Sequence, residues 1–279
     1  MKIFLYNNFH FGDILLNRSI ILAVKRKYPE IEVLLGCENN KRYLWEDIGY
    51  QIQALEKSNL PHDTPAGQPS LSVFPLNSQP LYKQDINVPS GAIPHYLWFG
   101  AYWDILDQYG LTFKNQALSF NRTFEKYGLF LETEPSPKVF FKQTRNISIP
   151  ENSILVDNGQ TSSSQSRMPL ESQTLERLVK TFPQYAFLCA SKPNTSISNI
   201  LDFSQYNLIE LSQIGDKVKT IISRGTAVYV CTFTENNRTK PKFLCGWSLP
   251  FPWQRWDDDG VIFVNTEEAL ISAMRAMKF

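Results

Sequence analysis

Residues 2–35, KIFLYNNFHFGDILLNRSIILAVKRKYPEIEVLL, decide the fold. The apolar run at 2–6 is typical of a buried strand, and after a short turn the pattern at 13–27 predicts a helix that ends before Pro29. A second apolar run at 31–35 predicts another strand. Because a strand–helix–strand unit has a right-handed crossover and parallel strands, these residues predict the start of a doubly wound α/β sheet.

A second series of alternating elements begins after a polar, proline-rich stretch at 135–150. Strands are predicted at 153–157, 185–190, 207–211, 227–231, 242–246 and 261–264, and helices at 170–182, 212–224 and 266–277. Residues 95–106 predict a further, aromatic helix in the first half. We expect two α/β domains, 1–148 and 149–279, with the last helix packing in the second domain or returning to the first.

The composition narrows the class of protein. With 28 Lys and Arg against 27 Asp and Glu, the net charge is +1, which gives no positive electrostatic field to attract nucleic acid. We therefore do not expect a nucleic-acid partner. The opening residues make too short an apolar run for a signal peptide, and no later run approaches ~18 apolar residues, so we expect a cytoplasmic protein with at most peripheral membrane contact. The four cysteines and three histidines lack metal-ligand spacing, so we expect reduced, buried thiols and no metal site.

The loop after the first strand contains the first candidate site residues, His10, Gly12 and Asp13. Ligands of open α/β sheets bind at the carboxyl ends of the strands. Gly12 allows a tight backbone turn. Asp13 stands at the predicted start of the helix, where its carboxylate either caps the helix or accepts a proton from an attacking hydroxyl. The spacing leaves both roles open.

The run GDILL at 12–16, followed by RSIILAVKRKYP at 18–29, resembles the amino-terminal signature of ADP-heptose-type heptosyltransferases, which are GT-B glycosyltransferases. The opening strand, the Gly-Asp loop and the helix that ends near a proline occur in the family's order. The resemblance implies two Rossmann-like domains facing a cleft, with the acceptor side at 1–148 and the nucleotide-sugar side at 149–279. It also implies that Asp13 is the general base.

A second match begins at the expected domain boundary. ILVDNGQ at 154–160 resembles the family's strand that ends in His-Pro-Gly, with Gly159 at the glycine. RMPLE at 167–171 is similar to the family's Lys-x-Trp-Pro-x-Glu stretch, whose basic residue binds the nucleotide's diphosphate. The resemblance implies that Arg167 takes this role, with Ser162 among the neighbouring hydroxyl donors. The alternative is a solvated polar loop.

A third match, NLIELS at 207–212 with AVYVCT at 227–232, resembles the family's passage of Ser-Leu-x-Glu, helix, strand and Asp-Thr-Gly. Glu210 either contacts the nucleotide, as in the family, or faces water at a strand end. The Asp-Thr-Gly turn is replaced by CTFTEN at 231–236. The nucleotide-sugar-binding residues implied are His10, Gly12, Gly159, Ser162, Arg167, Ser191, Glu210, Thr232, Thr234 and Glu235.

Together these matches imply an inverting, metal-independent transfer of a hexosyl or heptosyl group from a nucleotide sugar to a hydroxyl of a glycan or glycolipid, such as lipopolysaccharide or capsule. The nucleotide sugar is a co-substrate, and no further cofactor is implied. The replaced turn motivates an alternative, a catalytically degenerate GT-B-like protein that acts as a binding or assembly subunit. A dinucleotide-dependent oxidoreductase is disfavoured because the first turn lacks G-x-G-x-x-G.

Overall fold

The computed structural model describes residues 1–56, 86–134, 141, 146–159, 168–246 and 259–277. The described residues divide into two compact units, one formed by residues up to 134 and the other by residues from 141 onward. Each unit contains one parallel sheet.

The first unit is a four-stranded parallel sheet with helices packed on it. Its strands are β1 (Lys2–Tyr6), β2 (Glu32–Glu38), β3 (Gln51–Leu55) and β4 (Ala92–Tyr96), in the spatial order β3-β2-β1-β4. Its helices are α1 (Phe11–Lys27), α2 (Trp103–Tyr109) and α3 (Phe113–Phe124), with 3-10 turns at Asn39–Leu44, Glu46–Ile48, Phe99–Ala101 and Glu125–Tyr127. The residues of β1 after the first are buried, as expected for a central strand of a parallel sheet.

The helix predicted at 95–106 is only partly present. His95 and Tyr96 end β4, and α2 begins only at Trp103. Because β4 pairs in parallel with β1, the ladder partner Tyr6 fixes the start of this stretch as a strand. The rings of Tyr6 and Tyr96 stack with their centroids 4.9 Å apart. Strand pairing and aromatic packing therefore override the helical pattern.

An ion pair between a buried arginine and a partly exposed aspartate anchors α1. Arg18 is 1% exposed, and its guanidinium donates to both carboxylate oxygens of Asp47, at 2.7 and 2.8 Å. The same guanidinium donates to the carbonyl oxygen of Leu44. A buried guanidinium that loses its partner is strongly destabilising, so this contact fixes α1 against the 3-10 turns that follow β2.

The second unit is a six-stranded parallel sheet. Its strands are β5 (Ser153–Asp157), β6 (Ala186–Cys189), β7 (Ile200–Asp202), β8 (Thr220–Ser223), β9 (Lys242–Cys245) and β10 (Val261–Val264), in the order β10-β9-β8-β5-β6-β7. Its helices are α4 (Ser172–Thr181), α5 (Leu208–Lys217), α6 (Ala227–Cys231) and α7 (Glu267–Ala276), with a 3-10 turn at Glu235–Asn237. The apolar faces of β5, β6, α4 and α7 share one core.

Two strand predictions in this unit are wrong. Residues 207–211 begin α5, where Asn207 and Glu210 form a capping box, and residues 227–231 form α6, which Thr226 caps. The strand between them is β8, inside the region predicted as a helix. Side-chain caps at both helix starts decide the outcome, because they supply acceptors to N–H groups that a short helix would otherwise leave unpaired.

The last helix packs within the second unit. Leu270, Ile271 and Met274 of α7 lie in the core of this unit, and Thr174 of α4 donates to the Glu267 carboxylate at 2.9 Å. The sequence allowed this helix to return to the first domain. Its apolar face instead fills the core built on β5 and β6.

Three general features of the described residues bear on function. No helix among them combines the length and apolar character needed to cross a bilayer. They contain no cluster of three or more metal-ligating side chains. All four cysteines are free and buried, and burial raises the pKa of Cys37, Cys189 and Cys245 to about 12. The thiols are therefore small apolar core groups, as predicted.

Candidate functional site

The second sheet has its topological switch point between β5 and β8. From β5 the chain passes to β6 and β7 on one side and then crosses to β8 on the other, where Asp157 and Ser223 are register partners. In open α/β sheets the ligand crevice lies outside the carboxyl ends of the strands at such a point. The loop after β5 and the turn between β8 and α6 therefore bound the candidate site of this unit.

Asp157, the last residue of β5, holds the turn after β8. It is 1% exposed, and its Oδ2 accepts hydrogen bonds from Ser223 Oγ at 2.6 Å, Thr226 Oγ1 at 2.8 Å and the Thr226 N–H at 3.3 Å. Its buried Oδ1 has no hydrogen-bond partner among the residues described. Burial raises the pKa of this carboxyl, whereas the hydrogen bonds from Ser223 and Thr226 lower it. The Asp157 carboxylate therefore accepts the hydrogen bonds that hold the turn after β8 in place.

The turn itself contains Arg224 and Gly225. Gly225 has a φ of 77°, which side chains disfavour, and its N–H donates to Ser223 Oγ at 2.8 Å. Thr226 caps α6 with its hydroxyl. Arg224 is half-buried, and its Nη1 donates to the carbonyl oxygen of Gly159 at 3.1 Å. Arg224 therefore joins the turn to the loop after β5.

The loops after β5 and β6 are tied together. Asn158 Nδ2 donates to the Ser191 carbonyl oxygen at 2.9 Å, and the Ser191 N–H donates to Asn158 Oδ1 at 2.9 Å. A Cβ added at Gly159 would lie 2.9 Å from Ser191 Oγ and 3.8 Å from Asp157 Oδ1. The structure thus brings Gly159 and Ser191, both predicted site residues, together beside Asp157, which the sequence analysis did not single out.

The first sheet has its switch point between β1 and β4, because β2 and β3 lie on the other side of β1. Asparagines fix the loop after β1. Asn7 Nδ2 donates to Asn17 Oδ1 at 2.6 Å, and Asn17 Nδ2 donates to the Leu97 carbonyl oxygen at 2.8 Å. Asn8 Nδ2 donates to the Glu56 carbonyl oxygen at 2.8 Å. These bonds join the loop to α1, β3 and β4, and so hold the start of α1 at this edge.

Asp13 lies in the first turn of α1 but is not its cap. The helix begins at Phe11, and His10 is the N-cap residue, without a side-chain cap bond. Gly12 is therefore the second residue of the helix. The tight turn that was predicted at Gly12 lies before the helix instead. Asp13 is half-buried, and burial raises its pKa to about 7, while its own backbone N–H and the charge of Lys41 lower it. The capping alternative for Asp13 is therefore wrong, and its role as general base stays a prediction.

Lys41 is a site residue that the sequence analysis missed. It is 5% exposed in the 3-10 turn after β2, and its Nζ donates to the Glu38 carboxylate and to the Phe9 carbonyl oxygen. The ammonium also lies 5.2 Å from the Phe11 ring centroid. A basic residue three positions after an acidic one, shortly after the strand predicted at 31–35, was the available signal. Lys41 places a buried positive charge near Asp13.

Glu210 lies at the start of α5. Its Oε2 accepts the Asn207 N–H at 3.0 Å, and Asn207 Oδ1 accepts from the N–H groups of Ile209 and Glu210 at 2.9 and 3.0 Å. Because α5 follows β7, Glu210 lies on the carboxyl side of the sheet, two strands from β5. Glu210 thus lies at the carboxyl edge of the sheet, as predicted, but it belongs to a helix and not to the end of a strand.

Thr232, Thr234 and Glu235 lie at the opposite edge, between α6 and the start of β9. Thr232 is buried, and its Oγ1 donates to the Tyr229 carbonyl oxygen at 2.6 Å. Thr234 donates to the Asp216 carboxylate. Glu235 is exposed and begins a 3-10 turn. The structure does not bring these three residues together with Asp157 and Gly159.

The turn that the resemblance associates with Asp-Thr-Gly has a different position from the one predicted. In the family pattern it follows a helix and then a strand. Here that helix is α5 and that strand is β8, so the turn is Ser223-Arg224-Gly225 rather than residues 231–236. Two other predicted residues, Ser162 and Arg167, lie outside the described residues.

No protein-family model matches the chain, and no curated protein sequence does. Solved structures are similar to it. One is the glycosyl transferase family 9 protein from Veillonella parvula DSM 2008, with a TM-score of 0.56 at 11% identity over 100% of this chain and 91% of that one. Another is the E. coli heptosyltransferase WaaC with ADP, with a TM-score of 0.62 at 10% identity over 99% and 97% of the two chains.

WaaC with ADP-2-deoxy-2-fluoro heptose gives the same TM-score of 0.62, at 9% identity over 99% of this chain and 100% of that one. At such identities the likeness is one of fold. It confirms the predicted fold class, α/β with two Rossmann-like parallel sheets of the GT-B type.

Proposed function

We propose that this protein is a nucleotide-sugar-dependent glycosyltransferase in which Asp13 is the general base. The observation that carries the proposal is the setting of Asp13. This carboxyl has a pKa of about 7 and follows the loop at the switch point of the first sheet, in a chain that shares its fold with glycosyltransferases along its whole length. A base with a pKa near the working pH is efficient at proton transfer.

The proposed reaction is a displacement at the anomeric carbon of the donor sugar. The acceptor hydroxyl oxygen forms a bond to this carbon, and its proton passes to the Asp13 carboxylate. The bond to the nucleoside diphosphate breaks, and its electron pair leaves on the phosphate oxygen. A single displacement inverts the configuration at the carbon, and we propose that it proceeds without a metal ion or a cofactor beyond the nucleotide sugar.

The second unit is the proposed donor side. Gly159 and Ser191 lie in the joined loops after β5 and β6, and Glu210 lies at the same edge, where a carboxylate suits ribose hydroxyls. The WaaC structures carry ADP and an ADP-heptose derivative, which supports a nucleotide-sugar ligand for this chain. Arg167 and Ser162 complete the proposed diphosphate contacts.

The first unit, within the proposed domain 1–148, is the acceptor side. The half-buried rings of Phe9 and Trp98 lie in the loops after β1 and β4, with centroids 4.8 Å apart. Aromatic faces of this kind suit the apolar face of a sugar ring, which supports a hydroxyl on a glycan or glycolipid as the acceptor. A cytoplasmic location, with at most peripheral membrane contact, remains a prediction.

A donor panel tests the proposal. The protein is incubated with ADP-, UDP- and GDP-activated sugars and with simple glycoside acceptors, and release of the nucleoside diphosphate is measured. We expect turnover with one base, and a rise in the melting temperature with the matching diphosphate, equivalent to ~2.7 kcal/mol at a hundredfold excess over Kd. The proposal fails if no donor in the panel binds or is turned over.

A second candidate is a binding or assembly subunit that retains the fold. The turn after β8 favours it, because Ser223-Arg224-Gly225 stands where the family pattern has Asp-Thr-Gly. Nucleotide binding without turnover of any donor would favour this candidate over an active transferase.

A further inference from the structure

The turn between β8 and α6 stands at the switch point, where an open α/β sheet usually offers backbone N–H groups to a ligand phosphate. Gly225, with its φ of 77°, gives this turn a backbone shape that exposes successive N–H groups. The question is whether those groups are available to a ligand in this chain.

They are already used inside the protein. The Gly225 N–H donates to Ser223 Oγ at 2.8 Å, and the Thr226 N–H donates to Asp157 Oδ2 at 3.3 Å. The Val228 N–H donates to Thr226 Oγ1 at 3.1 Å. The acceptor at the centre of this network is the carboxylate of Asp157, buried at the end of β5. Its negative charge repels a phosphate group at the same turn.

Arg224 is the cation in this turn. Its Nη1 donates to the Gly159 carbonyl oxygen at 3.1 Å, so the half-buried guanidinium spans the two loops that bound the crevice. A guanidinium presents its N–H donors in a planar fork that matches two phosphate oxygens, and it stays charged at all relevant pH values. The hydrogen bond to the Gly159 carbonyl oxygen holds the guanidinium of Arg224 at the switch point.

We propose that Arg224 binds the diphosphate of the nucleotide ligand, in place of the backbone N–H groups of the turn, which already donate to Ser223, Asp157 and Thr226. The assignment deepens the proposed function and rests on it. It predicts that only one of the two side chains is needed for diphosphate affinity. Removing the Arg224 guanidinium removes the cation that the ligand needs, whereas neutralising Asp157 removes a repulsive charge.

Calorimetric titration of the intact protein with ADP, UDP, GDP and inorganic pyrophosphate tests this. We expect Arg224→Gln to weaken the binding of the preferred diphosphate roughly 10- to 100-fold, and Arg224→Lys to recover part of the loss. The corresponding nucleoside, which lacks phosphate, should bind both proteins equally. Arg238→Gln is the matched control, because Arg238 is an exposed arginine of the same unit, paired with Asp259 at 2.8 Å.

Asp157→Asn is the second variant. The amide oxygen can replace Oδ2 as the acceptor for Ser223 and Thr226, while the charge is lost, so we expect diphosphate affinity to rise or stay within about twofold. A loss of more than about twofold would contradict the repulsive role of Asp157. If the wild-type protein binds a diphosphate and Arg224→Gln binds it equally well, Arg224 is not the ligand cation and the proposed function stands. If the wild-type protein binds neither nucleoside diphosphates nor pyrophosphate, both proposals fail.

Discussion

At the residue scale, Asp13 links stability to activity. Burial raises its pKa from 3.8 to about 7, so the folded protein holds a proton there that the unfolded chain releases above about pH 4. Stability from this group is therefore complete below about pH 4 and is lost as the pH rises to about 7. The same carboxylate, once deprotonated, is the proposed base. A group that weakens the fold in the pH range where it would work is typical of a functional site.

Asp13→Asn removes this pH dependence. We expect its gain in unfolding free energy over the wild type to be larger at pH 8 than at pH 5, by about 1–2 kcal/mol after allowance for the partial exposure of the side chain. Loss of the favourable charge at the start of α1 offsets part of the gain at pH 8, where Asp13 is deprotonated, but not at pH 5, where the folded protein holds it protonated. Urea unfolding at the two pH values measures the difference, and an equal effect at both would show that the pKa of Asp13 is ordinary.

The positive charge of Lys41 is one of two contributions that lower the pKa of Asp13, the other being the Asp13 backbone N–H. Its buried ammonium favours the charged form of Asp13, so Lys41→Met should raise the pKa of Asp13 and move the acidic limb of the rate profile upward by about half a pH unit or more. Lys126→Met, an exposed lysine of the same unit, is the control. A profile that moves in neither variant would show that Lys41 has only a structural role.

At the element scale, the short helices of the second unit were the elements that the sequence pattern predicted wrongly. The first strand was predicted with its observed bounds, and the helix and the second strand to within two or three residues, because apolar and polar residues alternate clearly there and Pro29 marks the end of the helix. Residues 208–211 and 227–231 are short apolar runs, which a strand and a buried helix share. The deciding signals were polar. Asn207 with Glu210 three residues later is a capping box, and Thr226 is a cap.

The capping box gives a test that separates the two roles of Glu210. We expect Asn207→Ala to lower the unfolding free energy by ~1 kcal/mol without changing nucleotide affinity. Glu210→Gln keeps an acceptor for the Asn207 N–H and so should keep most of the stability. If Glu210 also holds the ribose, as proposed, this variant weakens nucleotide binding. Unchanged affinity in calorimetric titration would leave Glu210 with the cap alone.

At the scale of the whole molecule, two parallel sheets each place polar residues at a switch point. The sequence could predict the α/β class and the neighbourhood of Asp13 and Gly159, because these follow from strand order and loop position. It could not predict that Asp157 occupies the turn after β8, or that Arg224 and Lys41 lie at the two sites. Those facts depend on which strands become neighbours, and β8 meets β5 only through a long crossover.

The most direct test of the central claim is a side-by-side measurement of donor affinity and turnover for the wild type and Asp13→Asn, with the donor identified by the panel. If Asp13 is the general base, the dissociation constant of the donor stays within about twofold, while turnover falls by roughly 10²–10⁴, because an amide cannot accept the proton of the acceptor hydroxyl. Retention of most of the turnover by Asp13→Asn would contradict the account.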